Sequence, residues 1–380
     1  MKKPIYLDYN ATTPIDPRVV AAMMPYLEAC FGNPSSGHVY GREAKAAVEA
    51  ARQEVATLVD AAQDEVIFTA SATEANNLAL LGAAGNGGGR RHIVTSAIEH
   101  PAVMEPLRHL QKEGWRVDFL PVNGQGQIRA DIALKVIGPQ TALVSLMLAN
   151  NETGVIQPVR EIAALAHYHG ALMHVDAAQA VGKIPVSVAG LGADLLTLAG
   201  HKFYAPKGVG GLVVRSSIQL RPLLFGAGHE HGLRPGTENV PHLVALGKAA
   251  SLARESLWEE VPRLATLRDR LYQRLAAEVP GLTLNGHAEQ RLPNTLNVSF
   301  PAVSGTQLLA KAEEIAASTG AACHAGRHGA SGALAAMGLP NERLLGAVRL
   351  SVGRFTTEAE VDLAAAALAR AWWKLAHESG

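Results

Sequence analysis

Between residues 64 and 214 the chain repeats one pattern, a short apolar run followed by a stretch with helical spacing. The runs occupy 65–69, 92–95, 117–120, 142–147, 172–175, 195–198 and 211–214. Several lack apolar–polar alternation, as strands covered on both faces of a parallel sheet do. Helical stretches such as 73–84 and 159–169 separate them. The pattern predicts an α/β layer fold around a buried parallel sheet.

After about residue 257 the texture changes. A charged helical stretch at 259–278 precedes strand candidates at 295–299 and 348–352, and an alanine-rich helix at 358–375 follows. At 380 residues the chain exceeds one ordinary core and suits about two domains. The expected division is a large domain over 15–257 and a smaller α+β domain made of 1–14 with 258–380. The glycine run at 85–89 follows a helix instead of opening one, so it reads as a surface turn and not a phosphate loop.

Lys plus Arg number 34, as do Asp plus Glu, which gives no electrostatic case for nucleic acid or an anionic membrane. No apolar run approaches the ~18–20 residues of a membrane span, and residues 1–13 lack the apolar core of a secretory signal. The two cysteines, Cys30 and Cys323, supply neither a disulfide framework nor a metal cluster. A cytoplasmic protein with reduced thiols is expected, with Cys30 a small buried apolar residue.

Chemistry enters at the ends of the apolar runs. Lys202 follows the run at 195–198 and precedes a Pro/Gly-rich turn. Sites in open α/β sheets collect outside the carboxyl ends of strands, where a desolvated lysine serves as nucleophile and base. Taken alone, it reads more readily as a lysine snorkelling at a strand end. Asp176 ends an earlier run and suits either a pyridinium nitrogen, which it keeps protonated, or a helix N-cap. Gln179, just beyond, is placed to meet the ring's phenolic oxygen. The small and hydroxyl residues at 69–77 form a strand-to-helix turn, where Ala72 and Thr73 offer N–H groups to a phosphate. His100 suits stacking on a planar ring, and Asn151 offers an amide donor. Five strand ends thus supply a phosphate cradle, a stacking ring, an amide, an acid and a lysine. That is the set a planar aldehyde-phosphate cofactor requires.

A family resemblance rests on strings spread along the chain. They are Leu7-Asp-Tyr-Asn-Ala-Thr-Thr-Pro14, the turn at 69–77, Asn150-Asn-Glu-Thr-Gly154, His201-Lys202, Arg234-Pro-Gly-Thr-Glu-Asn239 and Arg349-Leu-Ser-Val-Gly-Arg-Phe-Thr-Thr357. Together they resemble cysteine desulfurases and selenocysteine lyases of the class-V aminotransferase superfamily, from residue 5 to about 362. The resemblance implies fold type I of pyridoxal 5'-phosphate enzymes, like aspartate aminotransferase. That fold has a large domain with a mainly parallel seven-stranded sheet, a smaller domain and a homodimeric assembly. It implies Lys202 as the Schiff-base lysine, Asp176 at the pyridine nitrogen, Gln179 at the phenolic oxygen, and His100 stacked on the ring and helping proton transfer. Ala72, Thr73 and His201 hold the phosphate, joined by Thr237 of a second subunit, while Arg349 and Asn151 bind the substrate carboxylate.

Small residues and glycines surround Cys323 at 317–326, so this stretch reads as an exposed loop and not a core segment. The resemblance places the catalytic cysteine of desulfurases there. Its thiolate attacks the sulfur of the bound cysteine, takes it as a persulfide and releases alanine. A sulfur- or selenium-acceptor protein is a further partner that this chemistry admits. Cys323, His324 and His328 lack a fourth ligand, so no metal is expected, and His324 reads as an aid to the thiolate or leaving group. Ala199 departs from the pattern, standing where those enzymes carry a phosphate-binding serine. Gly320-Ala-Ala-Cys-His324 and the stretches at 200–204 and 291–295 resemble selenocysteine lyases more closely. Cysteine desulfuration is the favoured reaction and selenocysteine cleavage the alternative. Transamination or epimerisation on the same fold leaves Cys323 without a role.

Overall fold

The computed structural model describes residues 3–85, 89–319 and 332–377. In chain order the strands are β1 (Ile5–Tyr6), β2 (Val66–Thr69), β3 (His92–Ser96), β4 (Arg116–Leu120), β5 (Thr141–Met147), β6 (Leu172–Asp176), β7 (Leu195–Ala199), β8 (Gly210–Val214), β9 (Thr283–Leu284), β10 (Thr295–Ser299), β11 (Ile315–Ala316) and β12 (Ala347–Ser351). The helices are α1 (Pro17–Glu28), α2 (Val39–Leu58), α3 (Ala72–Ala84), α4 (Pro101–Lys112), α5 (Ala130–Val136), α6 (Val159–Tyr168), α7 (Val188–Leu191), α8 (Val240–Glu278), α9 (Gly305–Lys311), α10 (Gly332–Ala336), α11 (Asn341–Leu345) and α12 (Glu358–His377).

The expected buried sheet is present. It has seven strands in the order β2-β8-β7-β6-β5-β3-β4. Only β8 runs against its neighbours β2 and β7; the other pairings are parallel. Every residue of β2, β3, β5, β7 and β8 is buried, which is why these runs carry no alternation. At the edge, β4 exposes Arg116 and Phe119 and buries Val117 and Leu120. From β3 the chain steps outward to β4, then returns to β5 and continues the other way through β6 and β7. Ligands in such sheets lie outside the carboxyl ends where the strand order reverses.

The second layer of structure gathers on a separate core. There β9, β10 and β12 form an antiparallel sheet, β1 pairs with β11 in parallel, and a parallel bridge joins Asp8 to Ser351. The expected helix at 259–278 proved to be the second half of α8, which is 39 residues long. Its first half buries Leu243, Leu246, Ala250 and Ala253 in the core of the large sheet. Its second half buries Leu264, Leu267, Leu271 and Leu275 against Leu7, Val298, Leu350 and Leu368. Burying each of these leucines contributes about 2 kcal/mol. The change in composition near residue 257 therefore marks a change of core along one continuous helix.

Between β8 and α8 the chain is tied down by buried charge. Glu230 accepts two hydrogen bonds from Arg52, at 2.7 and 2.8 Å, and one from the Phe68 N–H at 2.7 Å. Glu230 and His231 both adopt left-handed backbone, at φ 46° and 55°. Such strained residues persist only when the surroundings fix them, and the Arg52 fork does so here.

Candidate active site

A cavity of about 310 Å³ opens at the carboxyl ends of β2, β3, β5, β6 and β7. It brings together Ala72 and Thr73 after β2, His100 after β3, Asn151 after β5, Asp176 and Gln179 at the end of β6, and His201 and Lys202 after β7. Arg349, on β12 of the smaller sheet, enters from the other side.

Asp176 is held from behind. The Ala178 N–H donates to its Oδ1 at 3.0 Å, and Asn76 Nδ2 donates to its Oδ2 at 2.8 Å. Each carboxylate oxygen keeps a further lone pair, so the group can still accept a proton-bearing ring nitrogen. His100 caps α4, and its Nδ1 accepts from the Ala102 N–H at 3.1 Å. That bond assigns the proton of the neutral ring to Nε2.

Lys202 lies in a short turn after β7, half-buried, and its Nζ donates to the carbonyls of Asn10 at 2.6 Å and Ala11 at 2.8 Å. The N-terminal segment brackets this turn on both sides. Thr13 donates its N–H to the His201 carbonyl at 3.0 Å, and its Oγ1 accepts from the Tyr204 N–H at 2.9 Å. The Asp16 N–H donates to the Tyr204 carbonyl at 3.1 Å. These bonds hold Tyr204 at φ 73°, a left-handed conformation that a bulky residue otherwise avoids.

On the β2 side, Ser71 caps α3 by accepting from the Glu74 N–H at 3.2 Å, and Glu74 returns its Oε2 to the Ala70 N–H at 2.7 Å. The first-turn N–H groups, those of Ala72 and Thr73 among them, have no acceptor within the helix and suit an anion. Gly210 backs this turn. A Cβ there would sit 2.9 Å from the Ser71 carbonyl carbon and 3.1 Å from the Ala72 nitrogen. His201 has its pKa pushed down to about 4 by burial and by Lys202, Lys207 and Lys183. It therefore offers a phosphate one N–H and no charge. Ala199 lines the cavity without a hydroxyl, and Thr12 Oγ1 lies 3.2 Å from His201 Nδ1.

Arg349 spends one N–H on the Asn151 carbonyl at 3.0 Å and one on Asp8 Oδ1 at 2.7 Å. Its Nε is buried without a hydrogen-bond partner among the described residues. Five donors minus two leaves enough of the guanidinium for a carboxylate. The donors, the acid and the vacant Nε together fit an aldehyde-phosphate cofactor with an amino-acid substrate above it.

Several residues of the site carried no role in the sequence. Asn10 is the hub, since its carbonyl accepts from Lys202 and from Gln179 Nε2 at 2.9 Å. Its side chain meets Thr295, Asn294, Lys183 and the Asn151 carbonyl. Glu99, before His100, is fully buried, and burial pushes its pKa up to about 8. His174 bridges Ser145 and Thr197 inside the sheet, and burial pushes its pKa down to about 4. Among the described residues, one predicted site residue is not in the cavity. Thr237 is exposed and lines a separate groove with Arg52 and Glu230. Cys323 lies outside the described residues, with His324 and His328. The described flanks of that stretch both meet the cavity wall. On one side the Arg349 N–H donates to the Ser318 carbonyl at 2.7 Å, and on the other Ala333 packs on Ile98 and Met147.

The family model for aminotransferase class-V matches residues 5–363. Cysteine desulfurase 2 of Trichormus variabilis is 47% identical over 360 residues, spanning 94% of this chain and 90% of that protein. A solved NifS-like protein matches with a TM-score of 0.91 at 37% identity, over 97% of this chain and 98% of its own. SspA, solved in complex with cysteine, matches with a TM-score of 0.83 at 32% identity, over 93% of this chain and 99% of its own.

Proposed function

Since the chain belongs to the class-V aminotransferase family, we propose that it is a pyridoxal-phosphate-dependent cysteine desulfurase, forming alanine from L-cysteine and leaving sulfur as a persulfide on Cys323. One observation carries the reading. Lys202, Asp176, His100 and the α3 N-terminus, from four different strand ends, line a single cavity with Arg349.

Bound there, pyridoxal phosphate supplies an aldehyde for amines and a ring that takes up electrons from the substrate. The chain's own residues do the rest. Ala72 and Thr73 hold the phosphate by their N–H groups, with His201 beside them. Asp176 would keep a proton on the ring nitrogen, Gln179 would donate to the phenolic oxygen, and His100 would stack on the ring. Arg349 and Asn151 fix the substrate carboxylate, which orients the Cα–H toward the Lys202 amine that removes its proton.

Thr237 reaches a phosphate only in a second copy of the chain, so the working form is a homodimer. Residues 15–257 make up the cofactor-holding domain, and 1–14 with 258–380 the smaller one. Among the described residues no helix is long and apolar enough to cross a membrane, and the enzyme works in the cytoplasm. Its persulfide passes to a thiol or an acceptor protein. Ala199 and the string around Cys323 keep selenocysteine as the alternative substrate.

The test is side-by-side turnover of cysteine and selenocysteine by the holoenzyme with added thiol. Alanine and sulfide in equal amounts from cysteine are expected; alanine without sulfide, or no alanine, removes the proposal. A second expectation concerns Asp176→Asn. It keeps the shape and the Ala178 N–H bond, and meets Asn76 once that amide turns its Oδ1 to the new NH2, but it loses the charge. Cofactor uptake should persist while kcat falls on the order of a hundredfold to a thousandfold, the range for losing one preorganised electrostatic group. Unchanged kcat would contradict the role given to Asp176.

A further inference from the structure

Below the cavity floor lies a lysine that the mechanism above does not use. Lys183 is 6% exposed. Its Nζ donates to Gln179 Oε1 at 2.7 Å and to Asn10 Oδ1 at 3.2 Å. No carboxylate pairs with it among the described residues. The charged groups that act on it most are Lys202 and Arg349, both cationic, and burial with these two holds its pKa well below the usual lysine range. His201, itself pushed down to about 4, lies in the same field. A buried amine surrounded by cations needs a reason to be there.

We propose that Lys183 is a positioning residue that sets which way the Gln179 amide faces. The geometry leaves one consistent arrangement. As an ammonium Lys183 has only donors, so Oε1 faces it at 2.7 Å, and Nε2 then faces the Asn10 carbonyl, where it donates at 2.9 Å. With one Nε2 hydrogen on Asn10, the other is left for the cavity, which Gln179 lines. A flipped amide would set the NH2 group against Lys183 and the carbonyl against Asn10 O, two repulsions at once. Asn10 Oδ1 is fixed in turn by Asn294 Nδ2 at 3.0 Å, so the anchor for Lys183 is itself immobile.

The consequence depends on the reading that Gln179 meets the phenolic oxygen of the cofactor. An N–H held there favours the ionised oxygen and so eases loss of the proton shared between that oxygen and the lysine-bound nitrogen. Without Lys183 only the Asn10 carbonyl opposes the flipped amide, so its carbonyl turns inward more readily and that proton is held to higher pH.

The readout is the visible band of the resting holoenzyme, followed against pH without substrate, in wild type, Lys183→Met, Gln179→Leu and the double variant. Lys183→Met and Gln179→Leu are each expected to raise the midpoint by about one pH unit, the size of one hydrogen bond to a charged oxygen. In the double variant the shifts should not add, because Lys183 acts only through Gln179. If Gln179→Leu leaves the midpoint in place, the placement of Gln179 at the phenolic oxygen fails. If Gln179→Leu moves it while Lys183→Met does not, or if the two shifts add, the proposal for Lys183 fails. Should Lys183→Met take up no cofactor, Lys183→Gln is read in the same way. Failure of both to take up cofactor, with Gln179→Leu competent, would make Lys183 a purely structural residue and overturn the proposal.

Discussion

Lys202→Ala is expected to give a folded protein that lacks the visible band of a lysine-bound cofactor and turns cysteine over at least about 10⁴-fold more slowly. Two functions are lost with one amine. On the proposed function, the half-buried Nζ, held at the carbonyls of Asn10 and Ala11, is the nucleophile that receives the aldehyde at rest. Once displaced by substrate, the same nitrogen is the base nearest the Cα proton. Alanine supplies neither, and His100 cannot substitute as the attachment point. Folding should survive, because the cavity admits water to the two carbonyls and the turn remains bracketed by Thr13 and Asp16. The cost in stability is about 1 kcal/mol or less. Absorbance, a thermal melt and alanine production from one preparation check all three points. Retained turnover in a protein without the band would remove the central assignment.

The large sheet was legible because its strands are buried on both faces. Thr141–Met147 and Leu195–Ala199 are unbroken apolar or small runs, and the residue that follows each run is where chemistry belongs in such a fold. Asp176, His100 and Lys202 could therefore be named from their positions alone, and the cavity contains all of them. The hub Asn10 could not. Its partners Lys202, Lys183 and Asn294 lie 192, 173 and 284 residues away, and no local periodicity encodes such contacts. The string at residues 7–14 carried family resemblance but no role, and the structure supplies one, as the strap that shapes the Lys202 turn.

Other gaps have different physical causes. The strands β1, β9 and β11 are two residues long, too short to show a period of two. The long helix α8 was read only from its charged half. Its first half, rich in alanine and buried against the large sheet, has no strong polar face to mark it. Lys183 sits in Val181-Gly-Lys-Ile184, a stretch with no motif of its own, and only packing reveals that its amine points inward to Gln179.

Cys323→Ala is expected to abolish sulfide release from cysteine, by about 10³-fold or more, while leaving part of the turnover of selenocysteine. The difference lies in the leaving atom. A C–S bond breaks here by attack of the Cys323 thiolate on the substrate sulfur. A new S–S bond forms, the bonding pair of the C–S bond stays with the carbon, and that carbon takes a proton and departs in alanine. Without the thiolate, sulfur has no acceptor and the bond persists. A selenol is far more acidic than a thiol, and the softer selenium is more readily attacked, so an added thiol can take it in place of Cys323 while the C–Se pair again stays with the carbon that leaves in alanine. The described flanks favour this assignment, because Ser318 is bonded to the backbone of Arg349 and Ala333 packs on Met147. Cys323 is five positions after Ser318, a span of at most ~17 Å for any extended chain of that length. Arg349 is the residue proposed to hold the substrate carboxylate, so Ser318, on the chain that leads to Cys323, is bonded to the residue proposed to orient the target. Loss of cofactor from Cys323→Ala is not expected, as none of the residues proposed to hold the cofactor is altered, and an intact visible band serves as the internal control. Equal loss of both substrates with that band present would count against the leaving-atom argument, and undiminished sulfide release would remove Cys323 from the reaction.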